Sequence, residues 1–195
     1  PLWRLFNSRS QADPLIVTDP HADDAPMTIL GDIKLVVFDM FGTLVRNDAS
    51  EWQQTLTDIA SRQRLPVEGQ EFYQEWAKRE VNFRKTRTNM AKPDASPPFR
   101  SYWEAWRQAF IETFDAMGLM GDADAAATYS IDALSDQQAF PDANSSLQEL
   151  AKLTEIAVLS NADDRFLYGT IDYNGWQFTR VMSSERAQAY KPDPR

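Results

Sequence analysis

Four consecutive apolar residues, Leu35-Val36-Val37-Phe38, deliver the chain onto an acid, Asp39, and the turn residues Gly42 and Thr43 follow at once. A short, continuous run with β-branched content is expected to be a strand buried on both faces, as in a parallel sheet. Ile156-Ala157-Val158-Leu159, ending in Ser160-Asn161, reads the same way, and Val181-Met182, ending in Ser183-Ser184, is a weaker third run. Each ends in polar residues, as strands do where their carboxyl ends line a crevice. A simple βαβ crossover takes about 30 residues, yet everything from residue 39 to residue 155 lies between the first run and the second. An insertion directly after the first strand is therefore predicted, over its carboxyl end, in the position of a lid.

That insertion reads as helical. Ser50 with Gln53 has the spacing of a capping box ahead of Trp52, Leu56 and Ile59. Phe72, Trp76 and Phe83 mark one face of a second helix. Trp103, Trp106, Phe110, Phe114 and Met117 step by three and four and stop at Gly118, a natural C-terminal cap. Ala125 to Leu134 predicts a fourth helix, Leu147 to Leu153 a helix entering the second strand, and the prolines of Lys92 to Pro98 a loop. The domain reading is a tail or packing arm at 1–30, a core at 31–45 and 139–195, and a helical cap at 46–138.

Composition narrows the partners. A net charge of -9 argues against nucleic acid and anionic membrane, both of which reward basic surfaces, but leaves room for a local anion pocket. There is no cysteine, hence no disulfide, thiolate nucleophile or Cys-based zinc site. No apolar stretch approaches the roughly 18 residues of a membrane span, and the first 26 residues lack the apolar core of a signal peptide. A cytoplasmic location is the expectation.

An acid after a buried strand can be a nucleophile, a metal ligand or a helix cap. The neighbours of Asp39 carry more. Phe38-Asp39-Met40-Phe41-Gly42-Thr43-Leu44 resembles the first motif of the haloacid-dehalogenase superfamily of hydrolases, Leu159-Ser160-Asn161 the second, and Tyr190-Lys191-Pro192-Asp193-Pro194-Arg195 the third. The resemblance covers residues 33 to 195 and is closest to the 2-haloacid dehalogenase branch. It implies an α/β fold, a Rossmann-like parallel sheet core with an inserted all-helical cap subdomain. It also implies a further strand with an acidic fourth motif beyond Arg195, so the core reads as incomplete at the C-terminus and the chain as truncated. Asp39 would attack substrate to form a covalent ester, and a carboxylate needs no base to deprotonate it first. Thr43 would hold the turn or the carboxylate. Ser160 would meet a substrate anion, Asn161 the leaving halide, and Lys191 would offset the charge of two carboxylates.

Phosphatases of the superfamily carry a second aspartate two residues after the first, which protonates the leaving alkoxide. Here that position is Phe41, which transfers no proton. Halide leaves without one, so the expectation is hydrolysis of a short 2-haloacid, a small anionic substrate, without a metal. A homodimer is compatible with it. A small phosphorylated metabolite, with magnesium, is the alternative, and an inactive truncated relative a third reading. The dehalogenases also place an arginine directly after the tryptophan of the second cap helix, where this chain has Ala77 after Trp76. Arg79, Arg84, Lys85 and Arg87 read as a solvated face, with Arg84 and Arg87 able to reach the site only by a geometry other than that of the dehalogenase arginine. Asp163 and Asp164 read as helix-start acids, and the aromatic helix as the core of the lid, with room for a substrate-facing residue or two. His21, the single histidine, lies in the tail and makes a Ser-His-Asp triad untenable.

Overall fold

All three apolar runs become neighbouring parallel strands in the computed structural model, which describes residues 33–193. The expected arm at 1–30, with His21, lies outside the described residues. β1 (Leu35–Phe38), β2 (Glu155–Ser160) and β3 (Arg180–Ser183) pair in that order, with Phe38 opposite Val158 and Ser160 opposite Ser183. The pairing sets the carboxyl ends of β1 and β2 side by side.

Between β1 and β2 run α1 (Ala49–Gln63), α2 (Gly69–Thr86), α3 (Tyr102–Met117), α4 (Ala123–Ser135) and α5 (Ala143–Ala151), the last leading into β2. α6 (Asp164–Tyr173) joins β2 to β3, and the short α7 (Ser184–Ala187) follows β3. The first four helices pack on one another around aromatic side chains, with Phe72 and Phe110 at 0% exposure and Trp106 at 1%. Each large apolar side chain so buried is worth ~1.5–3 kcal/mol. Trp52 stacks on Trp76 at 5.0 Å, Phe72 on Phe114 at 5.7 Å and Trp76 on Phe110 at 5.6 Å. α3 ends where its periodicity ends, with Gly118 left-handed at φ 63°.

Two local expectations change. The capping box of α1 is Asp48 with Glu51, two residues before the predicted pair. Asp48 takes the backbone N–H groups of Ser50 and Glu51, and Ser50, inside the first turn, donates its hydroxyl to the same carboxylate. β1 is not buried on both faces. Val36, Phe38, Ile156 and Val158 face the helices, whereas Leu35 (37% exposed), Val37 (52%), Leu159 (38%) and Met182 (45%) form a bare apolar face among the described residues. The run was apolar on both sides, but only one side meets a helix layer here.

The insertion is seated on the sheet layer through α4 and α6. Thr170 Oγ1 donates to the carbonyl of Leu134 at 2.8 Å, and Asn174 Nδ2 to that of Gln137 at 2.9 Å. The helices approach so closely at Gly169 that a Cβ there would stand 2.6 Å from Ser135 Cβ.

Candidate active site

Asp39 is the first residue past β1, in the crevice that opens beyond parallel strands. The chain then turns sharply, because the N–H groups of Thr43, Leu44 and Val45 all reach the carbonyl of Met40, and Gly42 takes φ 79° to allow it. This turn holds the carboxylate at the mouth of the sheet, with Met40 N donating to Oδ1 at 2.9 Å.

The ends of β2 and of the loop after α7 converge on the same oxygen. Ser160 Oγ donates to Asp39 Oδ1 at 2.9 Å, and Lys191 Nζ stands 3.1 Å from it. Lys191 is itself placed: its Nζ donates to the carbonyl of Leu159 at 2.7 Å, its N–H to Asn161 Oδ1 at 2.7 Å, and its carbonyl accepts from Asn161 Nδ2 at 3.1 Å. Thus Oδ1 is occupied three times over, and Oδ2 has no partner among the described residues. A carboxylate held by one oxygen presents the other in a fixed direction.

Asp39 borders a cavity of about 140 Å³ roofed by the insertion. Phe41, Trp52, Tyr102, Trp106, Leu134 and Phe166 make its walls, and Phe41 packs against Phe166 with ring centroids 5.2 Å apart. Trp52 is oriented by an indole hydrogen bond to Asn47 Oδ1 at 2.9 Å. Apart from Asp39 no carboxyl group among the described residues lines the cavity.

Arg84 and Arg87 line it as well, so these two do not belong to a solvated face. Their charges differ in use. Arg84 is paired with Glu80, one turn back on α2 and 7% exposed. Arg87 has no carboxylate partner among the described residues. Its Nη1 donates to Tyr102 Oη at 2.6 Å, and its guanidinium lies over the Tyr190 ring at 4.2 Å. An aromatic cage holds an arginine without consuming its charge.

The structure thus gathers Asp39, Phe41, Ser160, Asn161 and Lys191 in one place. Ser160 is engaged with the Asp39 carboxylate, and Asn161 with the backbone of Lys191, which leaves one of its two amide hydrogens for the cavity. Thr43 stands apart: it is exposed on the turn, and its hydroxyl makes no hydrogen bond to Asp39 among the described residues. Asp164 binds Ser183 and Arg186, at 2.6 and 3.0 Å. Asp163 sits at the helix start as read, but its side chain serves another helix. Trp52, Tyr102 and Phe166 gave no signal beyond apolar periodicity, which marks core and cavity wall alike.

The family model for haloacid dehalogenase-like hydrolases matches residues 33–195. The chain belongs to that family. No curated protein sequence matches it. Among solved structures, this family member is similar to the L-2-haloacid dehalogenase of Xanthobacter autotrophicus, at 27% identity and a TM-score of 0.60 over 83% of this chain and 61% of that one. The same enzyme with chloropropionic acid covalently bound matches at 26% identity, TM-score 0.60, over 83% and 61%. A putative hydrolase of the family from Bacillus subtilis, bound to magnesium, shares the fold at 14% identity and TM-score 0.65, over 82% and 68%. The chain thus spans about three-fifths of the length of the dehalogenase it resembles. No described helix is long and apolar enough to cross a membrane.

Proposed function

We propose that the chain carries the nucleophilic half of a hydrolytic dehalogenase acting on short 2-haloacids, with residues 46–138 as the lid. One observation carries this reading: Phe41, two residues past Asp39, lies against Phe166 in the cavity wall, at the position where a proton donor would be needed. A leaving group must therefore depart without general-acid help, as a halide does and an alkoxide does not.

Charge and size agree. Asp39 is balanced by Lys191 and Glu80 by Arg84, so among the described residues Arg87 leaves the site one positive charge over, matched to a monoanion. Drug-sized ligands take roughly 300 Å³ or more; this cavity is less than half of that, and a void of about 150 Å³ admits benzene. A three-carbon haloacid has a comparable number of non-hydrogen atoms. The resemblance to an enzyme solved with chloropropionic acid covalently bound supports the same substrate class.

In the proposed reaction Arg87 receives the substrate carboxylate, and Asp39 Oδ2 attacks C2 from the side opposite the halogen. The carbon–oxygen bond forms as the carbon–halogen bond breaks, and halide leaves with the bonding pair. Ser160 and Lys191 hold Oδ1 throughout, and Lys191 keeps two carboxylates from repelling each other. Water then hydrolyses the ester, returning the aspartate and releasing a 2-hydroxyacid and a proton.

Ala77, where the dehalogenase pattern has arginine, favours a second reading: hydrolysis of a small phosphorylated metabolite, with magnesium. Among the described residues no three acid or histidine ligands gather for a metal, and the Lys191 ammonium already stands beside the one carboxylate. Halide and phosphate release from 2-chloropropionate and a phosphate monoester, with and without magnesium, separates the readings, with Asp39→Asn as the control. Magnesium-independent halide release that is lost in the variant supports dehalogenation; magnesium-dependent phosphate release overturns it.

A further inference from the structure

Asp163 stands at the N-cap of α6, two residues past Asn161, yet its carboxylate makes no bond to its own helix. It reaches across to the first turn of α3. Oδ1 accepts from Tyr102 N at 2.7 Å and Oδ2 from Trp103 N at 2.8 Å. Ser101, the true N-cap of α3, takes the next amide, that of Glu104, at 3.1 Å. The place Asp163 leaves on α6 is filled by Glu185, whose Oε2 accepts from Asp164 N at 2.7 Å. Two helices are thus capped by carboxylates from outside them, and the exchange stitches the insertion to the loop that carries Ser160 and Asn161.

A local cap would have satisfied α6 more simply, and Ser101 already caps α3. Asp163 is also buried, 4% exposed, in the company of Glu104 and Glu185, an unfavourable place for a charge unless its contacts are needed. What they fix is Tyr102. This residue begins α3, lines the Asp39 cavity, packs edge-on against Tyr190 at 5.6 Å, and accepts the Arg87 guanidinium hydrogen bond.

We propose that Asp163 is a positioning residue: its two oxygens hold the first turn of α3, and through Tyr102 the guanidinium of Arg87, in register with the Ser160–Asn161 loop. The kinetic consequence rests on the dehalogenase reading; the structural one does not. Only a carboxylate offers acceptors to both amides. An asparagine keeps one and sets an N–H group against the other, and an alanine keeps neither.

The test is site-resolved amide exchange on the full chain, comparing wild type with Asp163→Asn and Asp163→Ala. Exchange at Tyr102 and Trp103 should accelerate by about tenfold or more in Asp163→Ala, and by less in Asp163→Asn, while Phe110 in the same helix stays protected. KM for 2-chloropropionate should rise with kcat changed less, since Asp39 and Lys191 are untouched. Unchanged protection of Tyr102 and Trp103 in either folded variant overturns the proposal, as does an acceleration shared equally by Phe110. If Asp163→Ala does not fold, Asp163→Asn decides alone. Should wild type release no halide, the dehalogenase reading fails, and the exchange data still decide the role of Asp163.

Discussion

The helical insertion and the sheet bury their apolar residues in opposite ways. The insertion closes on itself, with Trp52, Trp76, Trp106, Phe72 and Phe110 meeting ring to ring in a core made by four consecutive helices. The sheet buries one face and leaves Leu35, Val37, Leu159 and Met182 bare among the described residues. An amphipathic helix specifies its buried side through its own periodicity. A strand that is apolar on both sides states only that two layers are wanted, and their supply depends on other parts of the chain.

Substitutions at equally apolar positions should therefore have unequal effects. Trp106→Ala is expected to destabilise by about 3–5 kcal/mol in denaturant unfolding, the range for opening a large cavity in a core. Trp106→Phe should cost less, because the indole N–H it removes is buried without a partner among the described residues. If Trp106→Ala costs under about 1 kcal/mol, the insertion is not the closed core described.

The join between the two regions is next, and it depends on pH. Burial is the main force pushing the Asp163 carboxyl up to about 6 from 3.8, against the pull of the Tyr102 and Trp103 amides, with Glu185 and Glu104 adding to the push. A carboxyl with a raised folded pKa contributes stability that is present below the unfolded value and lost as pH rises through the folded one. Wild-type stability relative to Asp163→Asn should accordingly fall by about 2 kcal/mol between pH 4 and pH 7. A pH-independent difference would mean that Asp163 is not desolvated as described.

Smaller again is the effect of Arg87→Met, expected to raise KM for a 2-haloacid by about tenfold to a hundredfold, the worth of a charged hydrogen bond. Arg84→Met reaches the same cavity but strands the buried Glu80, so it should show mainly as lost stability. Least of all, Val37→Thr on the bare face should stay within about 0.5 kcal/mol. A cost above about 1 kcal/mol would show that this face is covered after all.

The same contrast governs what could be read in advance. Helix faces were legible because their partners lie three and four residues away, and α3 ended at Gly118 as its spacing implied. Asp39, Ser160, Asn161 and Lys191 were legible as a group only through resemblance, since strand order and not sequence distance brings them together. The sequence leaves Arg87 between a solvated face and a reach to the site by another geometry, because its cage is assembled from Tyr102 and Tyr190, outside its own helix. Asp163 was read as a helix start, which is correct for its backbone; its side-chain partners lie 60 and 61 residues away and leave no local pattern. Thr43, expected to hold the turn or the carboxylate through its hydroxyl, lies exposed on a turn that backbone bonds to Met40 close.

The central claim is that Asp39 is the nucleophile, and it can be tested without asking whether the ester is later hydrolysed. The chain would be incubated with 2-chloropropionate, quenched in acid, digested and examined by mass spectrometry. The expected result is a peptide containing Asp39 that carries one carboxyethyl group, absent from Asp39→Asn. Halide release with Asp39 unmodified at every quench time, or persisting undiminished in Asp39→Asn, would contradict it.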